Sequence, residues 1–222
     1  MSLSCRAIIQ GPVRRLARHN PAVLYYVKTN AKALALTIDD GPDPITTPGI
    51  LDVLERNGAH ATFFIITGRV PGNEKLVQRM VDGHHELGNH MPRDEPSIRL
   101  SPEEFERQLL ESDAVLSGFS PMWWFRPGSG RYDARMLATL QEHGYRCALG
   151  SVYPFDPHIR WSWFSARFIL SNAQAGSIII LHDSGSRGRR TVKTLSTVLP
   201  ALRRRGFSMV TLTELIRLGE AR

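Results

Sequence analysis

The stretch Leu36-Thr37-Ile38-Asp39-Asp40-Gly41-Pro42 decides the fold. It completes the apolar run over residues 33–38, which reads as a strand, and closes that run with two carboxylates and a Gly-Pro stop. Extended backbone sends successive side chains to opposite faces, so Asp39 and Asp40 can serve one site only if a turn begins here. Two carboxylates this close repel unless one binds a cation or holds a proton. The functional reading is that one ligates a metal and the other handles a proton. A solvated Asp-Asp-Gly-Pro turn is the plain alternative, and this stretch alone does not choose between them.

Outward from it, short apolar runs alternate with helical patterns. Strands are predicted over 61–66, 86–88, 122–125, 145–149, 177–181 and 207–211. Helices are predicted over 48–56, 74–81, 102–116, 133–143, 165–174, 191–205 and 212–218. Ser101 caps the third helix, with Pro102 in the first position and Glu104 in the capping-box position. Strand–helix units at this spacing argue for a parallel α/β fold, and the absence of a dinucleotide glycine fingerprint favours a (β/α) barrel over a doubly wound sheet. A barrel carries its active site at the C-terminal ends of the strands. Polar residues collect there: Asp39-Asp40, Asn89-His90, Arg126, Asp156 and His182-Asp183.

At 222 residues the chain suits one domain. Residues 1–30 read as an N-terminal extension packed on the barrel, and 31–222 as the catalytic domain. The net charge of +7 favours anionic partners, with clusters at Arg187, Arg189 and Arg190 and at Arg203, Arg204 and Arg205. No aromatic–basic module accompanies them, so nucleic acid is not an expected partner. No window is apolar enough to span a membrane. Residues 1–17 lack the apolar run of a signal peptide, which reads as cytoplasmic unless the sequence has been trimmed. Cys5 and Cys147 form neither a metal spacing nor a disulfide framework, and Cys147 reads as a buried thiol. Of Trp123 and Trp124, alternation predicts one inward and one against the helices.

Four motifs in order carry a resemblance: Thr37-Ile38-Asp39-Asp40-Gly41-Pro42, Gly88-Asn89-His90, Arg126-Pro127-Gly128-Ser129-Gly130 and Leu181-His182-Asp183. Together they resemble the polysaccharide deacetylases of carbohydrate esterase family four, over about residues 33 to 215. The resemblance implies a distorted (β/α) barrel of about seven parallel strands. It also implies hydrolysis of the acetamide of an N-acetylated oligo- or polysaccharide, chitin- or peptidoglycan-type, with release of acetate. In that scheme Asp39 is the base, His182 the acid, Arg126 the partner of Asp39 and Asp156 the partner of His182. Asp40 and His90 bind one divalent metal, with zinc expected first and cobalt, manganese or nickel as alternates. The backbone of Ser129 faces the oxyanion, and Gly128, Leu181 and Trp161 join it as substrate-site residues.

Three departures stand out. The family usually supplies a second metal histidine four positions after the first, where this chain has Asp94. Asp94 is therefore the expected third ligand, which would leave a less acidic metal-bound water and favour harder cations. Ser129 replaces a frequent tyrosine and predicts a roomier pocket. The fourth motif is reduced to Asp156, with Trp161 and Trp163 nearby. Two other functions fit the same residues: a small-molecule amidase or imidase, and a degenerate carbohydrate-binding module.

Overall fold

A computed structural model describes residues 22–221. The extension expected over residues 1–30 therefore lies mostly outside the described residues, as does Cys5. Eight strands form one parallel sheet: β1 (Val23–Leu24), β2 (Ala33–Gly41), β3 (Thr62–Ile65), β4 (Glu86–Asn89), β5 (Trp124–Phe125), β6 (Arg146–Ala148), β7 (Ile178–His182) and β8 (Ser208–Val210). Their order is β1-β6-β5-β4-β3-β2-β7, and β8 pairs with the start of β2. Seven α-helices accompany them among the described residues: α1 (Thr47–Arg56), α2 (Glu74–Asp82), α3 (Pro102–Leu116), α4 (Ala134–Glu142), α5 (Ser162–Asn172), α6 (Gly185–Arg204) and α7 (Leu212–Glu220).

The barrel is distorted because β1 and β7 do not form a ladder. Two isolated bridges span that side instead, Tyr26 to Ser177 antiparallel and Val152 to Ile179 parallel. The two-residue β1, paired with Cys147 and Ala148, makes the strand count eight rather than about seven. No apolar run that short stands out from loop sequence.

β2 is the axis of the fold, and all nine of its residues are buried. Burial on both faces is the reason its sequence is a continuous apolar run rather than an alternating one. Ala33 and Ala35 share one cluster with Phe64, Trp124, Ala148 and Ile178, capped below by Leu212 and Leu215 of α7. Leu34, Leu36 and Ile38 face the other way, into a larger layer with Leu54 of α1 and Leu195 and Leu199 of α6. Trp124 lies inside, its indole N–H donating to Glu86 and to Thr213. Trp123 is 55% exposed, so it does not pack against the helices as alternation predicted. β5 is only two residues long and Trp123 precedes it.

α6 starts at Gly185, six residues before the predicted helix at 191. The segment Gly185-Ser186-Arg187-Gly188-Arg189-Arg190 has two glycines and no apolar periodicity, so it reads as loop. Tertiary contacts override that propensity. Gly185 N–H donates to Asp43, Gly188 N–H to the Ser184 carbonyl, and the Thr191 hydroxyl to the His182 carbonyl. A Cβ on Gly188 would lie 2.3 Å from Thr46 Oγ1 and 2.5 Å from Asp183 Oδ1, so only glycine lets the helix approach this closely.

Candidate active site

The register of β2 brings the site together. Asp39 lies opposite His182 on β7 and opposite Phe64 on β3. The ladder with β3 then slips, so that Gly41 rather than Asp40 pairs with Ile65. Asp40 sits in this bulge with φ 73°, in the left-handed region that aspartate tolerates better than most residues. The bulge meets the requirement that a turn begin here, since it lets two adjacent carboxylates line one cleft.

Arg126, at the end of β5, is planted inside the barrel. Its Nη1 donates to Asp39 Oδ1 at 2.6 Å and to Thr37 Oγ1 at 2.8 Å. Its Nε donates to the Ala148 carbonyl at 2.9 Å and its Nη2 to the Leu149 carbonyl at 3.2 Å. The guanidinium also lies 4.0 Å from the centre of the Phe64 ring. Asp39 is thereby a buried, oriented carboxylate paired with a buried cation. Across the cleft, His182 Nδ1 lies 3.0 and 3.1 Å from the two oxygens of Asp156, and the His182 backbone N–H also donates to Asp156. Nδ1 thus carries its proton toward the carboxylate, leaving Nε2 for the cleft. Burial alone would push the imidazole's pKa down, but the Asp156 bond and charge, with Asp39 and Asp40 behind them, raise it.

His90 and Asp40 form the second pair. His90 Nδ1 lies 2.7 Å from the Arg126 carbonyl, which can only accept, so Nδ1 carries a proton. His90 Nε2 then faces Asp40 Oδ1 at 3.5 Å. A lone pair facing a carboxylate is favourable only with a proton or a cation between them. Burial pushes the Asp40 carboxyl up, but the hydrogen bond and charge of His90, then His182 and Arg187, bring it to about 2. Asp40 Oδ2 is buried and accepts no hydrogen bond. An anchored imidazole whose Nε2 faces a buried carboxylate oxygen, with no hydrogen bond closing the other oxygen, fits a divalent cation held by Asp40 and His90.

Asp94 does not join them, contrary to its expected place as third ligand. Among the described residues no three His, Cys, Asp or Glu side chains gather in a way that could hold a metal ion. Asp94 stands at the rim, its side chain 47% exposed, and accepts a hydrogen bond from Arg187. A free carboxylate beside arginines 187 and 69 is drawn to them rather than toward a second buried carboxylate.

The remaining expected residues divide. Ser129, with φ 63°, lines the cleft next to Gly130. Gly128 lies behind them, its N–H donating to Ser97 Oγ, and a Cβ there would overlap the Glu95 carbonyl oxygen. Leu181 points outward into the helix layer, and Ile180 lines the cleft instead. The period-2 rule already puts Ile180, not Leu181, on the face of His182. Trp161 is 62% exposed and lies outside the cleft lining, beside Trp163. Tyr153, Pro157 and His158 form that wall, and the Tyr153 ring meets His182 edge to face. The cleft encloses about 610 Å³. Asp183 is fully buried and serves the scaffold. It accepts from the Thr46 and Thr47 hydroxyls and donates its N–H to the Asp39 carbonyl at 2.7 Å, tying α1 to β2 and β7. His85 accepts from the Ala61 N–H, and burial with His60, His84 and Arg79 pushes it down to about 4, a neutral structural group.

A carboxylate–arginine pair and a carboxylate–imidazole pair at the C-terminal mouth of a (β/α) barrel, beside the facing Asp40 and His90, define a hydrolase-type acid–base site. Comparison with known proteins is more specific. Residues 26–148 match the polysaccharide deacetylase family model, and the chain belongs to that family. It is 35% identical to a peptidoglycan-N-acetylglucosamine deacetylase of Bacillus cereus, over 88% of this chain and 93% of the relative. It is 32% identical to a chitooligosaccharide deacetylase of Bradyrhizobium sp., over 84% and 92% respectively. Among solved structures, a peptidoglycan N-acetylglucosamine deacetylase superposes with a TM-score of 0.84 at 26% identity, over 90% of this chain and 95% of that one. A family 4 acetyl xylan esterase of Clostridium thermocellum in complex with a cobalt ion gives 0.78 at 29%, over 84% and 91%. A mutant of a family 4 pseudoenzyme with restored enzymatic activity gives 0.81 at 25%, over 90% and 72%.

Proposed function

We propose that this chain is a metal-dependent deacetylase that hydrolyses the acetamide of an N-acetylated sugar, of chitin or peptidoglycan type, and releases acetate. The observation that carries the reading is the pairing of Asp39, fixed by Arg126, with His182, backed by Asp156, on adjacent strands that line one cleft with Asp40 and His90. The deacetylase names of the relatives support the substrate class.

Asp40 and His90 would hold the cation, zinc first with cobalt, manganese or nickel as alternates. When bound, the cation supplies Lewis acidity, which acidifies water and polarises a carbonyl. Asp39 accepts the proton of the attacking water, and Arg126 keeps that carboxylate ionised and aimed. The backbone N–H of Ser129, which lines the cleft, would donate to the developing oxyanion. His182 donates its Nε2 proton to the departing nitrogen as the C–N bond breaks, because an amide nitrogen leaves only once protonated. Asp156 orients the ring through Nδ1–H and favours the imidazolium, which carries the Nε2 proton. The new C–O bond leaves with acetate, and the amine stays on the sugar.

The test is chelation, then single re-addition of zinc, cobalt, manganese, nickel and magnesium with N-acetylglucosamine oligomers, reading acetate. Restored release supports the reading. A folded protein inert with every cation refutes it and directs the search to small amides.

A further inference from the structure

The pairing of Arg187 is not used by the proposed chemistry. From the first turn of α6, its Nη1 lies 3.0 Å from Asp40 Oδ2 and its Nη2 lies 3.1 Å from Asp94 Oδ2. One guanidinium thus spans the buried carboxylate of the cation site and a carboxylate at the rim. Its two ends differ. The Asp94 end is a hydrogen bond, whereas the Asp40 end is charge contact alone, since Oδ2 accepts none. Arg187 is also held in place by the fold. Its helix turn is pinned by Gly185 to Asp43 and by Gly188 against Thr46 and Asp183, so the guanidinium is delivered to the cleft. Arg69 stands 3.9 Å from Asp94 and donates to the backbone carbonyl of Asp40.

We propose that Arg187 is a built-in counter-cation of Asp40 that competes with a divalent cation for this carboxylate, and that Asp94 retains the guanidinium as the cation drives it off Asp40, rather than ligating the metal. The inference rests on the metal reading above and adds a competitor to it. A divalent ion on Asp40 Oδ1, facing His90 Nε2, and a guanidinium on Oδ2 would bring two positive charges onto one carboxylate, and at a few ångströms they repel. The Asp94 hydrogen bond survives the displacement, so the arginine gives up one partner and keeps the other. The site would therefore take metal more weakly than its ligands allow, with Arg187 setting the threshold.

The experiment is calorimetric titration of the chelated full chain with Zn²⁺ and Co²⁺, which reads binding and not turnover. The variants are Arg187→Ala and Arg187→Gln, the second keeping a polar side chain without the charge. Both are expected to bind at least about tenfold more tightly than the parent, the like charge beside the ion being gone. Adding Asp94→Asn to Arg187→Ala should leave that affinity unchanged. Asp40→Asn should abolish binding in every background. Equal or weaker binding by either Arg187 variant overturns the inference and leaves the metal reading standing. A loss caused by Asp94→Asn in the double variant would make Asp94 a ligand and overturn its assigned part. Absence of binding by parent and variants alike overturns the metal reading and this inference together.

Discussion

Arg126→Met removes a cation from beside a buried carboxylate while keeping an apolar side chain of similar reach. The lost contact is an ion pair at 2.6 Å between groups that are almost wholly buried. At an effective dielectric of about 20 that separation corresponds to roughly 6 kcal/mol of attraction. Two backbone carbonyls, of Ala148 and Leu149, lose their donor as well. Against this, the variant no longer buries a guanidinium. Breaking one side of a buried pair typically leaves a net loss of about 3–5 kcal/mol. Urea unfolding should show that loss as a fall in midpoint with little change in slope. The decisive comparison adds Asp39→Asn. If the stranded charge is the main cost, Arg126→Met/Asp39→Asn is more stable than Arg126→Met alone. If Asp39→Asn instead adds its own further loss, the stability reasoning about this pair is wrong.

Other expectations follow from the same contacts. Asp156→Asn removes the partner that raises the His182 pKa, so the imidazole should titrate lower and the alkaline limb of the pH–rate profile should move toward neutrality; nitrogen-detected NMR of His182 and the rate profile check both. For stability the sign is that of a raised histidine: its contribution is full below about 6.5, the ordinary histidine value, and fades as pH rises through the folded value. That fading should be smaller in the variant, with Asp39 and Asp40 still acting on the ring. Asp40 has the opposite sign: its pKa, brought to about 2 from 3.8, adds stability above pH 4 that is lost as pH falls toward 2, and Asp40→Asn should flatten that part of an acid-unfolding curve. Gly188→Ala pushes a methyl into Thr46 and Asp183 within the helix that delivers Arg187, and should cost about 1–3 kcal/mol by thermal melting.

Much of this architecture is legible in the residues. The apolar run at 33–38 announces a strand and the one at 61–66 a strand buried on both faces, and β2 and β3 are there, every residue of each buried. Ser101 caps α3 as its motif predicts, its hydroxyl accepting from the Glu104 N–H. Asp39, Arg126 and His182 can be named because each falls at a strand end, and they line one cleft, with Asp156 behind His182. What escapes is set by tertiary contact. β1 is too short to carry a period, and the start of α6 runs against local propensity until Asp43, Thr46 and His182 hold it. The partner of Asp94 is invisible because Arg187 lies 93 residues away and reaches it only through that helix. The choice of Leu181 over Ile180 is a different kind of miss, since alternation already contained the answer.

The central claim is that Asp39 and His182 divide the proton work of amide hydrolysis. The most direct measurement is acetate release from N-acetylglucosamine oligomers at saturating cation by the parent, Asp39→Asn and His182→Ala, each first shown to be folded. The account predicts release by the parent and a fall of at least about 10²-fold in both variants. Release at the parent's rate by either variant would contradict it.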